Sequence, residues 1–301
     1  MDVRELLRLQ HGLVTREQLL AAGVSARQLT GSSRRFVRVR RSVYAERTAV
    51  DAMAVPARAA LEVRAARLVS GVDLVAAGAT AALVHDLPLL GPRPTALQLV
   101  ERKQERPHHR GTSTTLRPEE VVDIGVPVTS VPRTVVDVAR TRGYAAGVVV
   151  ADAALARGVQ RAELALVLDG RENWPGSDAA HRATAFASAR SESPLESLGR
   201  VRFAEQGLPA PQLQVVIADE DGPFARVDQC WDEHRTIAEA DGALKYATAS
   251  DLFLEKRRED RLRDLGWEVV RYTWDDALHR PERLAARVRR AFLRSAERRA
   301  G

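Results

Sequence analysis

The sequence predicts an α+β protein in three successive parts, and three observations carry that expectation. The chain opens with short helical stretches followed by an arginine-rich segment in which apolar residues alternate with basic ones. Its middle mixes short apolar runs with alanine-rich helical runs, and its last third reads helix, three strands, helix, strand, with acids gathered on the strands.

A chain of 301 residues can hold two compact domains, or one with a sizeable insertion, each with its own core. A hydrophobic share of 45% beside 29% charged residues is that of a globular protein, so no large disordered region is expected. The longest apolar runs, Val72 to Val84 and Ala145 to Ala156, are too short to span a bilayer, so no membrane partner is expected. The start, Asp2 to Arg8, is charged and lacks an apolar signal core, which makes the cytoplasm the expected location. The single cysteine, Cys230, agrees with a reducing compartment.

Charge distribution says more than the net charge of +6. Residues 1 to 47 hold ten Arg against four acids, whereas residues 192 to 241 hold four Arg against eleven acids. The first segment suits phosphates and the second suits metal cations.

Val3, Leu6 and Leu7 lie at helical spacing, Thr15 with Gln18 forms a capping-box pattern for a second helix, and Gly23 ends it. Ser25 caps a short third helix through Leu29 to about Ser33. Val37 and Val39 then alternate with Arg38 and Arg40 as in a half-buried ribbon that runs to Tyr44. Helix, helix, turn, short helix, basic ribbon is winged-helix order. It puts Arg27, Gln28 and Thr30 on the open side of a recognition helix, and Arg34, Arg35, Arg38, Arg40 and Arg41 where they can hold phosphates of double-stranded DNA. Five Arg in eight residues argue against a merely solvated strand, because like charges repel.

From residue 56 to 172 the pattern is mixed α/β: a helix over Ala57 to Ser70, strands at Leu97 to Val100 and Val126 to Val131, and Pro132 opening a helix through Ala139. Helices follow at Ala145 to Ala156 and Arg161 to Leu168, and Arg171 to Ser177 reads as a linker. His108 and His109 lie in a polar loop with no third metal ligand in view. The three parts are therefore 1–55, 56–172 and 190–301.

In the last part, Ser193-Pro194-Leu195-Glu196 opens a helix that Gly207 ends, and strands follow at Gln212 to Ala218, Ala225 to Trp231 and Thr236 to Asp241. Alternation places Glu239 and Asp241 on one face, and Asp228 on the neighbouring strand brings a third carboxylate towards them. Clustered carboxylates repel unless they share protons or bind a cation, and oxygen ligands suit Mg²⁺ or Mn²⁺. Several of these residues have bland roles open to them. Glu196 can cap its helix with Ser193, Asp241 before Gly242 can start a turn, and Lys245 can be solvated; His234 can decorate a hairpin turn. Arg257, Arg258 and Arg261 lie in a helix rich in acids, where pairing and phosphate contact are both open.

Gly12-Leu13-Val14-Thr15-Arg16 with Ala22-Gly23-Val24-Ser25, and Arg38-Val39-Arg40-Arg41-Ser42-Val43-Tyr44-Ala45, resemble the N-terminal domain of AbiEi-type antitoxins. Val128 to Thr134 with Asp137 resembles the segment that follows in their actinobacterial relatives. The resemblance implies a winged helix that binds promoter DNA, with Ser42 where glycine is expected in the wing. Arg226-Val227-Asp228, Ile237 to Gly242, Glu255 to Leu262 and Leu265 to Arg271 resemble the PD-(D/E)XK nuclease superfamily, in its very-short-patch-repair-like branch. That resemblance implies a restriction-endonuclease-like α/β domain in which Asp228 and Glu239 hold Mg²⁺ or Mn²⁺, aided by Glu196. Asp241 stands where the superfamily motif has lysine, as a third metal ligand or a water-positioning group, and Lys245 can supply the missing charge. The expectation is a metal-dependent endonuclease acting on duplex DNA. The alternative is a non-catalytic AbiEi-type antitoxin or repressor with a degenerate nuclease domain and a cognate toxin as partner.

Overall fold

A computed structural model of the chain describes residues 2–30, 35–102, 116–242 and 249–300. The protein is α+β and forms two compact units, Met1–Val150 with Val159–Thr184, and Ala151–Gly158 with Ala185–Gly301.

The first unit begins with α1 (Val3–Leu9), β1 (Val14–Thr15), α2 (Arg16–Ala21), α3 (Ala26–Thr30), β2 (Phe36–Arg40) and β3 (Val43–Glu46). Thr15 Oγ1 accepts from the Gln18 amide at 3.2 Å while Gln18 Oε1 accepts from the Thr15 amide at 2.9 Å, so the capping pattern starts α2 as the sequence predicts. Ser25 and Gln28 make the same exchange at α3, at 2.7 and 3.3 Å. The apolar positions Val3, Leu6, Val14, Leu19, Leu29, Phe36 and Tyr44 close into one small core. The strands form an antiparallel sheet in the order β1-β3-β2. Arg41 and Ser42 make the turn between β2 and β3, and Ser42 sits at φ 64°. A residue with a Cβ pays roughly 1–2 kcal/mol in this left-handed region, so glycine would fit the turn better.

After α4 (Arg47–Asp51) and α5 (Val55–Ser70) come β4 (Leu74–Ala76), α6 (Gly78–Val84), β5 (Leu99–Glu101), β6 (Val121–Asp123) and β7 (Pro127–Thr129). These strands make a mixed sheet, β5-β4-β7-β6, in which only β4 and β7 are parallel. Helices α7 (Val131–Arg142), α8 (Tyr144–Ala156), α9 (Arg161–Leu168) and α10 (Ser177–Phe186) follow, with Pro132 in the first turn of α7.

The segment from Arg171 to Ser177, read from the sequence as a linker, is instead anchored. Arg171 pairs with Glu120, which also takes Arg133 at 2.8 Å, and Arg133 reaches Asp137 at 3.0 Å. The guanidinium groups of Arg133, Arg140 and Arg171 lie 4.7, 4.1 and 4.3 Å from the centre of the Trp174 ring. Burial pushes the Glu120 carboxyl up, but the Arg171 bond, the Arg117 amide and the charge of Arg133 outweigh it and hold the group below its ordinary value. Sequence periodicity misses this arrangement because, apart from Trp174, its members are charged.

The second unit contains α11 (Pro194–Glu205), β8 (Gln212–Asp219), β9 (Gly222–Trp231), β10 (Thr236–Ala240), α12 (Ala249–Asp264), β11 (Glu268–Tyr272), α13 (Trp274–His279) and α14 (Pro281–Ala300). The sheet order is β11-β10-β9-β8, antiparallel except for the β10–β11 pair that α12 joins. Ile217, Ala225, Val227, Cys230, Ile237, Leu262 and Trp267 fill one core cluster. Phe203 meets Trp231 and Tyr272 edge to face, with ring centres 5.2 and 5.7 Å apart. A Cβ on Gly199 of α11 would come within 2.2 Å of the Tyr272 hydroxyl, so the helix approaches the sheet at a distance only glycine allows.

Candidate functional site

The antiparallel register that pairs Ala238 with Gln229 brings Asp228 opposite Glu239 one step further along β9 and β10. Asp228 Oδ2 accepts from the Ala240 amide at 2.9 Å, which ties its carboxylate to the neighbouring strand. Glu239 is 8% exposed, and burial raises its pKa despite the nearby cations Arg258 and Arg271, with the charge of Asp228 adding to the rise.

Glu196 stands in the first turn of α11. Ser193 caps the helix by accepting from the Glu196 amide at 3.2 Å, while Glu196 Oε2 turns back to accept from the Glu192 amide at 2.9 Å. The same oxygen accepts from Gln214 Nε2 at 2.9 Å, and that nitrogen lies 3.5 Å from Asp228 Oδ1. Capping and site membership therefore coexist in Glu196. Its pKa is raised, first by burial and then by Asp228. Gln214 is a site residue that the sequence reading missed. It occupies β8 at φ 53°, a left-handed conformation in mid-strand, and no local pattern in the sequence marks it. Beneath it, buried Gln229 donates to the Glu196 carbonyl at 3.0 Å and meets the Tyr272 hydroxyl at 3.3 Å, fixing the start of α11 to the sheet.

Cations surround Glu239. Arg258 Nη2 donates to Glu239 Oε1 at 2.6 Å, and Arg271 Nη2 lies 3.8 Å from Glu239 Oε2. Arg271 also pairs with Glu259 at 2.9 Å and stands 4.0 Å from Asp241 Oδ2. Asp241 falls just past the end of β10, with its amide donating to the Tyr272 carbonyl at 2.8 Å. Arg271 therefore stands between the carboxylates of Glu239 and Asp241. Among the described residues no group of three His, Cys, Asp or Glu side chains could hold a metal ion. Two carboxylates still fit Mg²⁺ or Mn²⁺, because such ions keep several waters and take one or two carboxylates plus substrate phosphates. Asp228 and Glu239 are the residues that would hold the ion, once Glu239 gives up the bond from Arg258.

The remaining expected residues are placed as follows. Arg27 and Gln28 are exposed on α3, and Gln28 Oε1 accepts from the Ser25 amide at 2.7 Å. Thr30 ends α3. Arg38, Arg40 and Arg41 are exposed along the β2 ribbon and its turn, whereas Arg35 pairs with Glu46 at 2.6 Å. On α12, Arg257 is exposed, and Arg261 pairs with Asp219 and, at 3.1 Å, with Asp221. Arg258 pairs with Glu239 on β10, and Arg261 with Asp219 at the end of β8, so both reach beyond their own helix. Arg34, Lys245, His108 and His109 lie outside the described residues. His234 stacks on Phe292 with ring centres 3.9 Å apart and serves the turn before β10. The Cys230 thiol is pushed up to about 12 by burial, which makes it an unreactive core group.

No family model matches the chain, and no solved structure matches it. Two proteins described as uncharacterized, from two strains of Mycobacterium tuberculosis, are each 34% identical to it over 163 residues. The match takes in 54% of this chain and 60% of each relative, so the chain spans little more than half the length of the curated relatives it matches.

Proposed function

We propose that the protein is a DNA-binding endonuclease that depends on Mg²⁺ or Mn²⁺, with a winged-helix-like N-terminal region and its site at Asp228 and Glu239. The observation that carries this reading is the placement of Asp228 opposite Glu239, with Glu196 of α11 joined to the pair through Gln214. A bound ion at such a pair would supply an activated water and offset charge on the phosphodiester. The chain's own residues do the positioning: the Ala240 amide aims Asp228 and Gln214 aims Glu196, while Arg258 occupies the Glu239 oxygen that an ion would take. Glu196, with its pKa raised by burial, exchanges a proton nearer neutral pH than an exposed carboxyl does, which suits general acid or base work beside the pair. The exposed Arg38, Arg40 and Arg41 support duplex binding by the first unit. Among the described residues no helix is long and apolar enough to cross a membrane, and the working location proposed is the cytoplasm.

A second reading, a non-catalytic AbiEi-type regulator with a cognate toxin, is favoured by one observation: Arg258 already neutralises Glu239. Incubation of purified protein with supercoiled, linear, nicked and mismatched DNA in Mg²⁺ and in Mn²⁺ separates the two. Metal-dependent cleavage that Asp228→Ala abolishes is expected. Tight DNA binding with no cleavage on any substrate moves the function to the regulator.

A further inference from the structure

At the outer edge of the C-terminal sheet, β11 and α14 border a cavity of about 150 Å³ lined by Val269, Val270, Arg271, Arg287, Arg290 and Arg294. Four of its six lining residues are arginines, and three of these belong to one face of α14. Arg283, Arg287, Arg290, Arg294 and Arg298 recur at helical spacing, while Leu284, Ala285, Val288, Ala291 and Ser295 turn inward. Acids reach part of the row: Asp276 pairs with Arg287 at 3.2 Å, and Glu268 takes Arg294 at 2.6 Å and Arg298 at 2.7 Å. Arg271 is shared among Glu259, Glu239 and Asp241. Arg290 is exposed, and its side chain has no ion pair or hydrogen bond among the described residues. With Arg271, Arg287 and Arg294 already facing carboxylates, Arg290 carries the uncompensated positive charge at the cavity, and the planar fork of a guanidinium suits phosphate oxygens.

The geometry points to this cavity as a binding site for a backbone phosphate of nucleic acid, with Arg290 as its principal ligand and the α14 row as its extension along the strand. From Arg283 to Arg298 the helix advances roughly 22 Å, a length that faces several phosphates of one strand. Only two valines supply apolar lining, and no aromatic ring is there to stack a base, so the cavity suits phosphate rather than nucleoside. The inference rests on the DNA-binding part of the proposed function and is independent of cleavage.

The test is fluorescence anisotropy of the full chain with a labelled duplex over a salt series. Arg290→Ala keeps α14 helical, since alanine is the best helix former, and should lower the slope of log affinity against log salt by about one. The loss should be the same for unrelated sequences, and Arg290→Glu should weaken binding further. If wild type binds and both variants keep its slope, the pocket assignment is overturned while DNA binding by the first unit stands. If wild type binds no duplex, both fall. Inorganic phosphate, compared with chloride at equal ionic strength, identifies the remaining source. A rise in thermal midpoint with phosphate that Arg290→Ala removes, together with an unchanged DNA slope, would assign the cavity to a free anion and overturn the nucleic-acid assignment.

Discussion

Replacing Arg258 by Ala removes the 2.6 Å bond to Glu239 and leaves that carboxylate, 11% exposed, with Arg271 at 3.8 Å. A hydrogen bond to a charged group contributes about 1.5–3 kcal/mol, and stripping a buried charge of all its partners costs about 3–5 kcal/mol. Arg271 remains and Arg258 is itself 23% exposed, which points to the lower part of that range, a loss of about 2 kcal/mol at pH 7. The loss should depend on pH. Burial already raises the Glu239 pKa, and Arg258 is the strongest group holding it down, so the variant's value rises further. A carboxyl whose folded pKa lies above its unfolded one takes up protons on folding, so its stability contribution is present below the ordinary carboxyl range and is lost as pH rises through the folded value. Wild type and variant should therefore converge at acidic pH and diverge towards neutral pH. Urea unfolding at a series of pH values measures this, and a double-mutant cycle with Glu239→Gln isolates the pair. A loss of equal size at every pH, or a coupling below about 0.5 kcal/mol, would refute the reasoning.

The other predictions concern the two units separately. Glu120→Ala leaves Arg133 and Arg171 buried without the acid they share, and should cost about 3–5 kcal/mol in thermal or urea unfolding. A cost under about 1 kcal/mol would mean that water replaces the acid. Gly199→Ala forces the Tyr272 ring away from α11 and should destabilise by about 1–3 kcal/mol, while leaving the salt dependence of DNA binding unchanged. Arg38, Arg40 and Arg41 replaced together by Ala should flatten the salt slope of duplex binding and weaken it across sequences; a wild-type slope would remove the ribbon from the interface.

Much of this fold was legible in the chain because its signals are local. The Thr15–Gln18 box, Pro132 and Pro194 in first turns, and the valines at positions 37 and 39 each report a backbone state within a few residues. In the second unit the hairpin that carries Asp228 and Glu239 was legible, whereas the parallel pairing of β10 with β11 was not, because it joins segments separated by a whole helix. The site was legible only in part. The hairpin placed Asp228 beside Glu239 and alternation put Asp241 on the face of Glu239, but neither could say that β10 stops at Ala240 and leaves Asp241 beyond the strand. Gln214 and Arg271 were hidden for another reason: each matters through partners far along the chain, and glutamine and arginine on strands carry no periodic signal. The buried charges Glu120, Arg133 and Arg171 beside Trp174 were hidden likewise, since a charged residue read alone looks exposed.

The proposed site requires Asp228 and Glu239 to take a divalent cation in spite of the arginines beside them. Titration of the full chain with Mn²⁺, followed by loss of the free-ion paramagnetic signal, tests it without any assumption about substrate. A bound ion is expected that Asp228→Asn removes and Arg258→Ala strengthens, because the latter frees the Glu239 oxygen that Arg258 occupies. Equal Mn²⁺ uptake by wild type and Asp228→Asn, or none by wild type even with duplex DNA present, would contradict it.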